Sequence, residues 1–218
     1  ILSYVSRARY RIGWKSSKGL VGKRHLYTHL FKPDMRSHTV LQNLDVVRAF
    51  GITTEDLSVD FQIPDNQLDF VQKLFRQRGI PKTSTVVHVH PTSRWLFKCW
   101  RDEWMAEIID WMLRRELTVI VTSSADRKEK EKARNILSLI PDNTNRSGLV
   151  DLTGRTTVKQ LGAIAKRAAL FFGVDTAPMH IASAVGTPVV ALFGPSGAFN
   201  WGPWNRSDPG AYGRTSGI

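Results

Sequence analysis

From about Thr83 onward, short apolar runs rich in β-branched residues alternate with segments whose apolar residues recur at helical spacing. Such runs predict strands, and a period near 3.6 predicts amphipathic helices between them. The predicted strands span residues 84–91, 118–124, 149–154, 169–174 and 187–195. The predicted helices span residues 101–115, 126–140, 156–168 and 178–185. Strictly alternating strands and helices favour an α/β fold with a doubly wound, Rossmann-like parallel sheet.

The first 79 residues follow a different pattern. Helical spacing is visible at 40–49 and 68–78, and no complete sheet is predicted. We therefore expect residues 1–79 to hold the end of an amino-terminal domain and a connector, and residues 80–218 to form a second domain. The chain opens directly on an apolar segment without Met, so the expectation is a fragment whose amino-terminal domain is truncated.

Polar residues and glycines gather where the predicted strands end. Parallel doubly wound sheets bind ligands beyond the carboxyl ends of their strands. Because all five predicted strands end this way, a ligand site is expected along that edge. The segments concerned are 90–93, 122–124, 153–155, 175–176 and 194–196.

The stretch DTAPMH, residues 175–180, carries the strongest of these signals. It begins a predicted helix, and a helix amino terminus offers unpaired N–H groups and a positive dipole end to phosphate. The amides around Ala177 and Met179 are expected to be free for a diphosphate, with His180 as a further donor. Asp175 suits a sugar hydroxyl. The alternative is that Asp175 or Thr176 only caps the helix.

Two further segments are candidates for the same site. After the first strand, Thr92, Ser93 and Lys98 could clamp phosphate, with the lysine as a mobile point charge. The alternative there is a surface loop with a solvated lysine. In LTGRTT, Thr156 or Thr157 is expected to cap the following helix, and contact with a base or ribose is the alternative role.

Charge adds a candidate partner. The net charge is +12, and residues 1–36 contribute +8 of it, from nine Lys or Arg and the single acid Asp34. The partner would be nucleic acid, an acidic membrane surface or a phosphorylated substrate; otherwise the segment is a solvated basic face. One cysteine, Cys99, and no visible secretory leader make a cytosolic location the expectation.

Metal and nucleophile motifs are absent from the sequence. It contains no C-x-x-C, H-E-x-x-H, G-x-S-x-G, P-loop or G-x-G-x-x-G pattern. His88 and His90 are expected to face opposite sides of a strand, which would prevent them from sharing a metal. No metal and no cofactor are therefore expected.

Several of these motifs together resemble a known family. HPTSRWLFKCW, LTGRTT, DTAPMH and the later WGPW occur in the order found in the lipopolysaccharide core heptosyltransferases. The resemblance covers roughly residues 86–204, over half of the chain, and is closest to the heptosyltransferase III group. It implies a two-domain GT-B fold and an inverting transfer of heptose from ADP-L-glycero-D-manno-heptose to the lipopolysaccharide inner core.

The resemblance also implies roles for individual residues. Thr92, Ser93 and Lys98 would hold the diphosphate, with Lys98 stabilising the leaving group, and Asp175 would contact the heptose. The remaining donor-binding residues would be Thr176, Ala177, Met179 and His180 around sugar and phosphates, Thr156 near the adenosine, and residues 124–128 near the ribose. The catalytic base, an Asp in the family, is expected in the missing amino-terminal segment, so little turnover is expected from this chain alone. The enzyme would work in the cytoplasm at the inner membrane.

Two other functions remain open at this stage. Another GT-B enzyme, a transferase or epimerase using a UDP- or GDP-sugar, would fit the same fold, because the contacts that select the base are not visible in the sequence. A basic nucleic-acid-binding module would explain the charge, but aromatic residues do not alternate with the basic ones as a stacking platform requires. We therefore expect no nucleic-acid partner.

Overall fold

The computed structural model describes residues 2–15 and 22–204, which divide into two compact units, Ile1–Glu55 and Asp56–Ile218. Helix Asp65–Gln77 belongs to the second of these units, and the sequence pattern groups it with the amino-terminal remnant and connector at residues 1–79. The functional boundary predicted at residues 79 and 80 stays a prediction. Within the described residues, no helix combines the length and apolarity needed to cross a bilayer.

The first unit contains a small sheet that the sequence analysis did not anticipate. Strands β1 (Ile12–Trp14) and β2 (His29–Phe31) pair in parallel, with Gly13 opposite Leu30. Phe50 packs edge-on against the rings of His29 and Phe31. Each strand has only three residues, too few for period-two alternation to show. The elements of this unit are α1 (Leu2–Val5), β1 (Ile12–Trp14), a 3₁₀ turn (Lys23–Leu26), β2 (His29–Phe31) and α2 (Thr39–Arg48).

The second unit is a parallel five-stranded sheet with helices on both faces. All five predicted strands and all four predicted helices of this region are present, so the doubly wound α/β architecture is confirmed. Its strands are β3 (Val86–His90), β4 (Thr118–Ser123), β5 (Leu149–Thr153), β6 (Leu170–Val174) and β7 (Val189–Leu192). Its helices are α3 (Asp65–Gln77), a 3₁₀ turn (Leu96–Lys98), α4 (Asp102–Leu113), α5 (Arg127–Ser138), α6 (Val158–Arg167), α7 (Ala177–Ala184) and α8 (Ala198–Trp201).

The strand order of this sheet is β5-β4-β3-β6-β7. The chain winds outward from β3 to β5 and then returns to place β6 on the other side of β3. The direction of winding therefore reverses between β3 and β6, and this switch point opens a crevice at the carboxyl ends of the two strands. Residues that follow β3 and β6 are brought to the same place.

Three apolar clusters hold these layers together. One packs α4 and α5 against β3 and β4 around Met105, Ile109 and Ile136. Another packs α3 and α6 on the opposite face around Phe75 and Ile164. The third fixes α7 against β6. Because the helices on both faces are anchored in this way, the sheet edge that carries the polar segments has a rigid support.

A tryptophan near the end of the described chain ties the second unit together. The Trp204 indole N–H donates to the Leu57 carbonyl at 2.7 Å, and the Ser183 hydroxyl donates to the Trp204 carbonyl at 2.6 Å. The indole is 4% exposed. The start of this unit and the last described residue are therefore in contact.

Candidate functional site

An ion pair crosses the switch point between the segments that follow β3 and β6. The Lys98 ammonium lies 2.6 Å from a carboxylate oxygen of Asp175, and the Ser196 hydroxyl, in the segment after β7, donates to the same oxygen. The Asp175 side chain is 6% exposed and that of Lys98 is 21% exposed. A charged pair with so little access to water forms where its geometry satisfies both groups. Three chain segments thus converge on one carboxylate.

The sequence predicted two members of this cluster and missed the third. Lys98 and Asp175 are 77 residues apart, and the parallel sheet brings them together. For Ser196 the sequence predicted only that it is one of the polar residues following a strand. The alternative that Lys98 is an ordinary solvated lysine is wrong.

A second hydrogen-bonded cluster lies beside the first, at the ends of β3 and β4. The fully buried Thr92 hydroxyl donates to one carboxylate oxygen of Glu129 at 2.9 Å. The Ser124 hydroxyl donates to the other at 2.6 Å. Glu129 is 5% exposed, so its charge is stabilised by these hydroxyls rather than by bulk water.

Glu129 is a residue that sequence reasoning missed. It stands three positions after Asp126, which caps α5 by accepting from the Lys128 and Glu129 amides. An acid at that position is the usual partner in a capping box, so its residue type carries no sign of a buried role. Its side chain instead turns inward, toward the hydroxyls at the strand ends.

We expect Glu129→Ala to lower the free energy of unfolding by about 2 kcal/mol, because the buried Thr92 hydroxyl loses its acceptor. Urea denaturation would measure this. Glu131→Ala is the matched control on the same helix: its ion pair with Arg127 is well exposed, so its loss should cost under about 0.5 kcal/mol. Equal effects of the two changes would contradict a structural role for the Glu129 cluster.

The remaining hydroxyls of the site differ in how they are engaged. Ser93 accepts from the Trp95 amide at 3.4 Å, which leaves its own proton for another acceptor. Thr156 has a buried hydroxyl oxygen with no hydrogen-bond partner among the described residues. A buried polar atom without a partner is rare in folded proteins and calls for an explanation such as a ligand. Thr157, beside it, caps α6 in a capping box with Gln160.

The amino terminus of α7 follows β6 directly, as predicted. Thr176 occupies the cap position without a capping bond from its side chain, so the reading of Thr176 as only a cap is not supported. Ala177 is the first helical residue and is exposed, and His180 lies on the first turn and is partly buried. At such a terminus the first amides lack an acceptor within the helix.

The prediction for the Met179 amide was wrong. That amide donates to the Thr176 carbonyl at 3.0 Å, and the Met179 side chain is fully buried against Phe171 and Ala182. The first turn of α7 closes tightly, which uses the amide. Met179 therefore belongs to the core under the site, and Ala177 is the better placed amide for a ligand.

The two strand histidines were also predicted wrongly. Residues two apart on a strand lie on the same face, and the rings of His88 and His90 both bond the Thr122 hydroxyl at 2.8 Å. Burial lowers the pKa of each from 6.5 to about 3, with the neighbouring His90 adding to the effect on His88. Both rings are therefore neutral. Among the described residues, no group of three His, Cys, Asp or Glu side chains is placed to hold a metal ion.

Comparison with known proteins connects this geometry to a family. The sequence profile of "Glycosyltransferase family 9 (heptosyltransferase)" matches residues 1–214. The chain is 30% identical over 184 residues to lipopolysaccharide heptosyltransferase 3 of Escherichia coli, covering 84% of this chain and 52% of that protein. It thus spans about half the length of the curated relatives it matches.

Solved structures share the fold. A family 9 glycosyl transferase from Veillonella parvula superposes with a TM-score of 0.75 at 21% identity, over 93% of this chain and 56% of that one. The E. coli heptosyltransferase WaaC with ADP gives a TM-score of 0.58 at 14% identity, over 84% of this chain and 52% of that one. These likenesses confirm the GT-B class that the sequence resemblance implied. By its profile match over nearly its whole length, the chain belongs to glycosyltransferase family 9, the heptosyltransferases.

Proposed function

We propose that this chain forms the donor-binding region of an inverting heptosyltransferase that transfers heptose from ADP-L-glycero-D-manno-heptose to the lipopolysaccharide inner core. Family membership and the resemblance to the heptosyltransferase III group support the reaction. The observation that carries the proposal is the Lys98–Asp175 ion pair at the switch point of the sheet. A cation and a carboxylate at that crevice suit the two halves of a nucleotide sugar, the diphosphate and the sugar hydroxyls.

Lys98 is assigned to the departing diphosphate. Breaking the bond to the sugar leaves negative charge on ADP, and a cation held in a poorly hydrated site stabilises that charge as it develops. The Ser93 hydroxyl and the Ala177 amide, which follow β3 and β6, are assigned as additional donors. The Thr92 hydroxyl already donates its hydrogen bond to Glu129, so we assign it to holding the β3 end in place. A direct phosphate contact from this donor would require that bond to open.

Asp175 is assigned to the sugar. A carboxylate accepts hydrogen bonds from hydroxyls, and it lies beside Lys98, where the sugar is joined to the diphosphate. Thr176 and His180 flank the same position on α7. Thr156, with its buried hydroxyl oxygen lacking a partner, is assigned to the adenosine, together with the turn at residues 124–128 for the ribose.

The acceptor side of the reaction lies outside these residues. Transfer requires a base to deprotonate the acceptor hydroxyl, and no residue of this chain is assigned to it. The basic segment 1–36 is proposed to face the phosphates and acidic sugars of the lipopolysaccharide core. A cytoplasmic enzyme in peripheral contact with the inner membrane is the setting we propose.

Nucleotide choice is the direct test of the donor. Isothermal titration of the chain with ADP and with UDP should give tighter binding for ADP. Tighter binding of UDP would reject the heptosyl donor and favour an enzyme that uses a UDP-sugar. Failure to bind either nucleotide would reject the donor site itself.

Replacing Lys98 by alanine is expected to weaken ADP binding at least about tenfold, which is roughly 1.4 kcal/mol, because the diphosphate loses its cation. Titration calorimetry with ADP measures the change. Lys73→Ala, at an exposed position of α3 outside the donor site, is the matched control for loss of one positive charge. An ADP affinity equal to that of the unaltered chain would remove Lys98 from the site.

Asp175→Ala should separate the effect of the sugar contact from the effect of the nucleotide contacts. The carboxylate competes with the diphosphate for Lys98, so ADP binding should be unchanged or tighter, while heptose transfer by the complete enzyme falls at least about tenfold. Transfer assays would measure the rate, and thermal melts would show that the variant remains folded. A transfer rate equal to that of the unaltered enzyme would contradict the assignment.

A further inference from the structure

A second concave site lies on the second unit, at the opposite end of the strands from the donor site. A cavity of about 450 Å³ is formed between α3 and α6. Lys82, which lines it, precedes β3, and Arg167, which also lines it, precedes β6. The α3–α6 cavity is therefore at the amino ends of the strands, whereas the donor site is at their carboxyl ends.

The floor of the α3–α6 cavity is apolar. Val71 and Phe75 of α3 line it together with Ile80. Val71 is 4% exposed and Phe75 is 7% exposed, and both belong to the cluster that joins α3 to α6. A pocket of this size with an apolar floor and a few polar groups at its edge is typical of small-molecule sites.

The rim of the same cavity is positively charged. Arg76, Lys82 and Arg167 line it, and none of its lining residues in the described chain is acidic. The Arg167 guanidinium donates to the Lys82 carbonyl at 2.7 Å and lies 5.1 Å from the centre of the Phe75 ring. These contacts hold its planar group at the rim, and a guanidinium has five N–H donors, so further donors remain for an anion.

Helix electrostatics explains only part of this arrangement. Arg76 and Arg167 stand in the last turns of α3 and α6, where cations are favoured by the helix dipole. Lys82 is on neither helix. Three cations around one apolar cavity repel one another unless an anion is present, so the arrangement is complementary to a molecule with an apolar body and a negative head.

We propose that the α3–α6 cavity binds an amphipathic anion, a lipid with a hydrocarbon chain on the apolar floor and a phosphate head between Arg76, Lys82 and Arg167. The chain would cover Val71, Phe75 and Ile80 and remove apolar surface from water. The phosphate would accept charge-assisted hydrogen bonds, of which arginine makes bidentate ones. This site is separate from nucleotide-sugar binding.

Titration of the full chain with monomeric dodecyl phosphate tests the proposal. Binding should saturate and be at least about tenfold tighter than binding of inorganic phosphate or of dodecyl maltoside, since each lacks one half of the recognition. Equal binding of the maltoside would show that the cavity only adsorbs apolar chains, and would contradict recognition of the phosphate. Equal binding of inorganic phosphate would show that the cavity binds only the ion. An absence of saturable dodecyl phosphate binding would reject the proposal.

Charge variants on the exposed rim keep the test independent of folding. Arg76→Gln combined with Lys82→Gln should weaken dodecyl phosphate binding about tenfold, and Gln72→Glu, which places an anion at the rim, should also weaken it. Lys73→Gln is the control, because Lys73 is exposed on α3 and does not line the cavity. An equal loss with the control would show nonspecific charge attraction and overturn the proposal.

The two sites can be judged separately with the same protein. The rim variants should leave ADP affinity unchanged, and Lys98→Ala should leave dodecyl phosphate affinity unchanged. A chain that fails to bind ADP but binds dodecyl phosphate would reject the donor site alone, and the reverse result would reject the α3–α6 cavity alone.

Discussion

Lowering the pH from 7 to 4 is expected to destabilise the second unit of this protein strongly. Burial lowers the pKa of His88 and His90 from 6.5 to about 3, so both rings are neutral when folded and take up protons when unfolded. Their contribution to stability is complete above about pH 6.5 and is lost as the pH falls toward 3. Two such groups together remove up to about 3 kcal/mol per pH unit, against a typical total of about 5–15 kcal/mol.

Urea denaturation followed by tryptophan fluorescence at several pH values would measure this slope. His88→Leu should reduce it to about half, because one titrating ring remains. The change is tolerable, since one His88 ring nitrogen is buried without a partner among the described residues and Thr122 keeps its bond to His90. A slope unchanged by His88→Leu would show that other groups cause the acid sensitivity.

Gly173→Ala is expected to destabilise the fold by about 3 kcal/mol, the upper end of the usual cost of overpacking. A Cβ at this position would lie 2.6 Å from the His90 carbonyl oxygen and 2.9 Å from the Phe171 ring. The carbonyl belongs to the neighbouring strand β3, which cannot yield as a flexible side chain could. The clash lies two residues before Asp175, so ADP affinity should fall as well.

Gly197→Ala is the matched control for this prediction. Gly197 has a φ of −69°, which suits any residue, and a Cβ there would meet its nearest neighbour, Asn200, at an ordinary 3.5 Å. Its midpoint in urea should match that of the unaltered chain. If Gly173→Ala also unfolded at that midpoint, the close approach of β3 and β6 at the switch point would be contradicted.

The elements of the second unit were predictable because each buries a regular pattern. Strands buried on both faces are apolar throughout, as β6 shows, and each helix shows the spacing of its inward face. The parallel direction followed from the alternation alone. The small β1–β2 sheet was not predictable, because three-residue strands carry too little pattern.

The donor site was predictable in location more than in contacts. Polar residues at the strand ends indicated the edge, and Lys98 and Asp175 were named individually. Their pairing depends on β6 lying next to β3, which is a property of strand order. Glu129 was missed because an acid in the first turn of a charged helix carries no sign of an inward-facing side chain. The Met179 amide was misjudged because residue types do not show how tightly the first turn of the helix closes.

The contact between Trp204 and Leu57 has a consequence for how the second unit can be handled. Segments whose two ends touch tolerate cutting and rejoining, since the order of the chain matters less than the neighbours it creates. The segment from residue 57 to residue 204 has its two ends in contact in this way. A short peptide joining residue 204 to residue 57 would allow new termini in the exposed stretch at 141–143. The circularly permuted segment could then be inserted into other proteins.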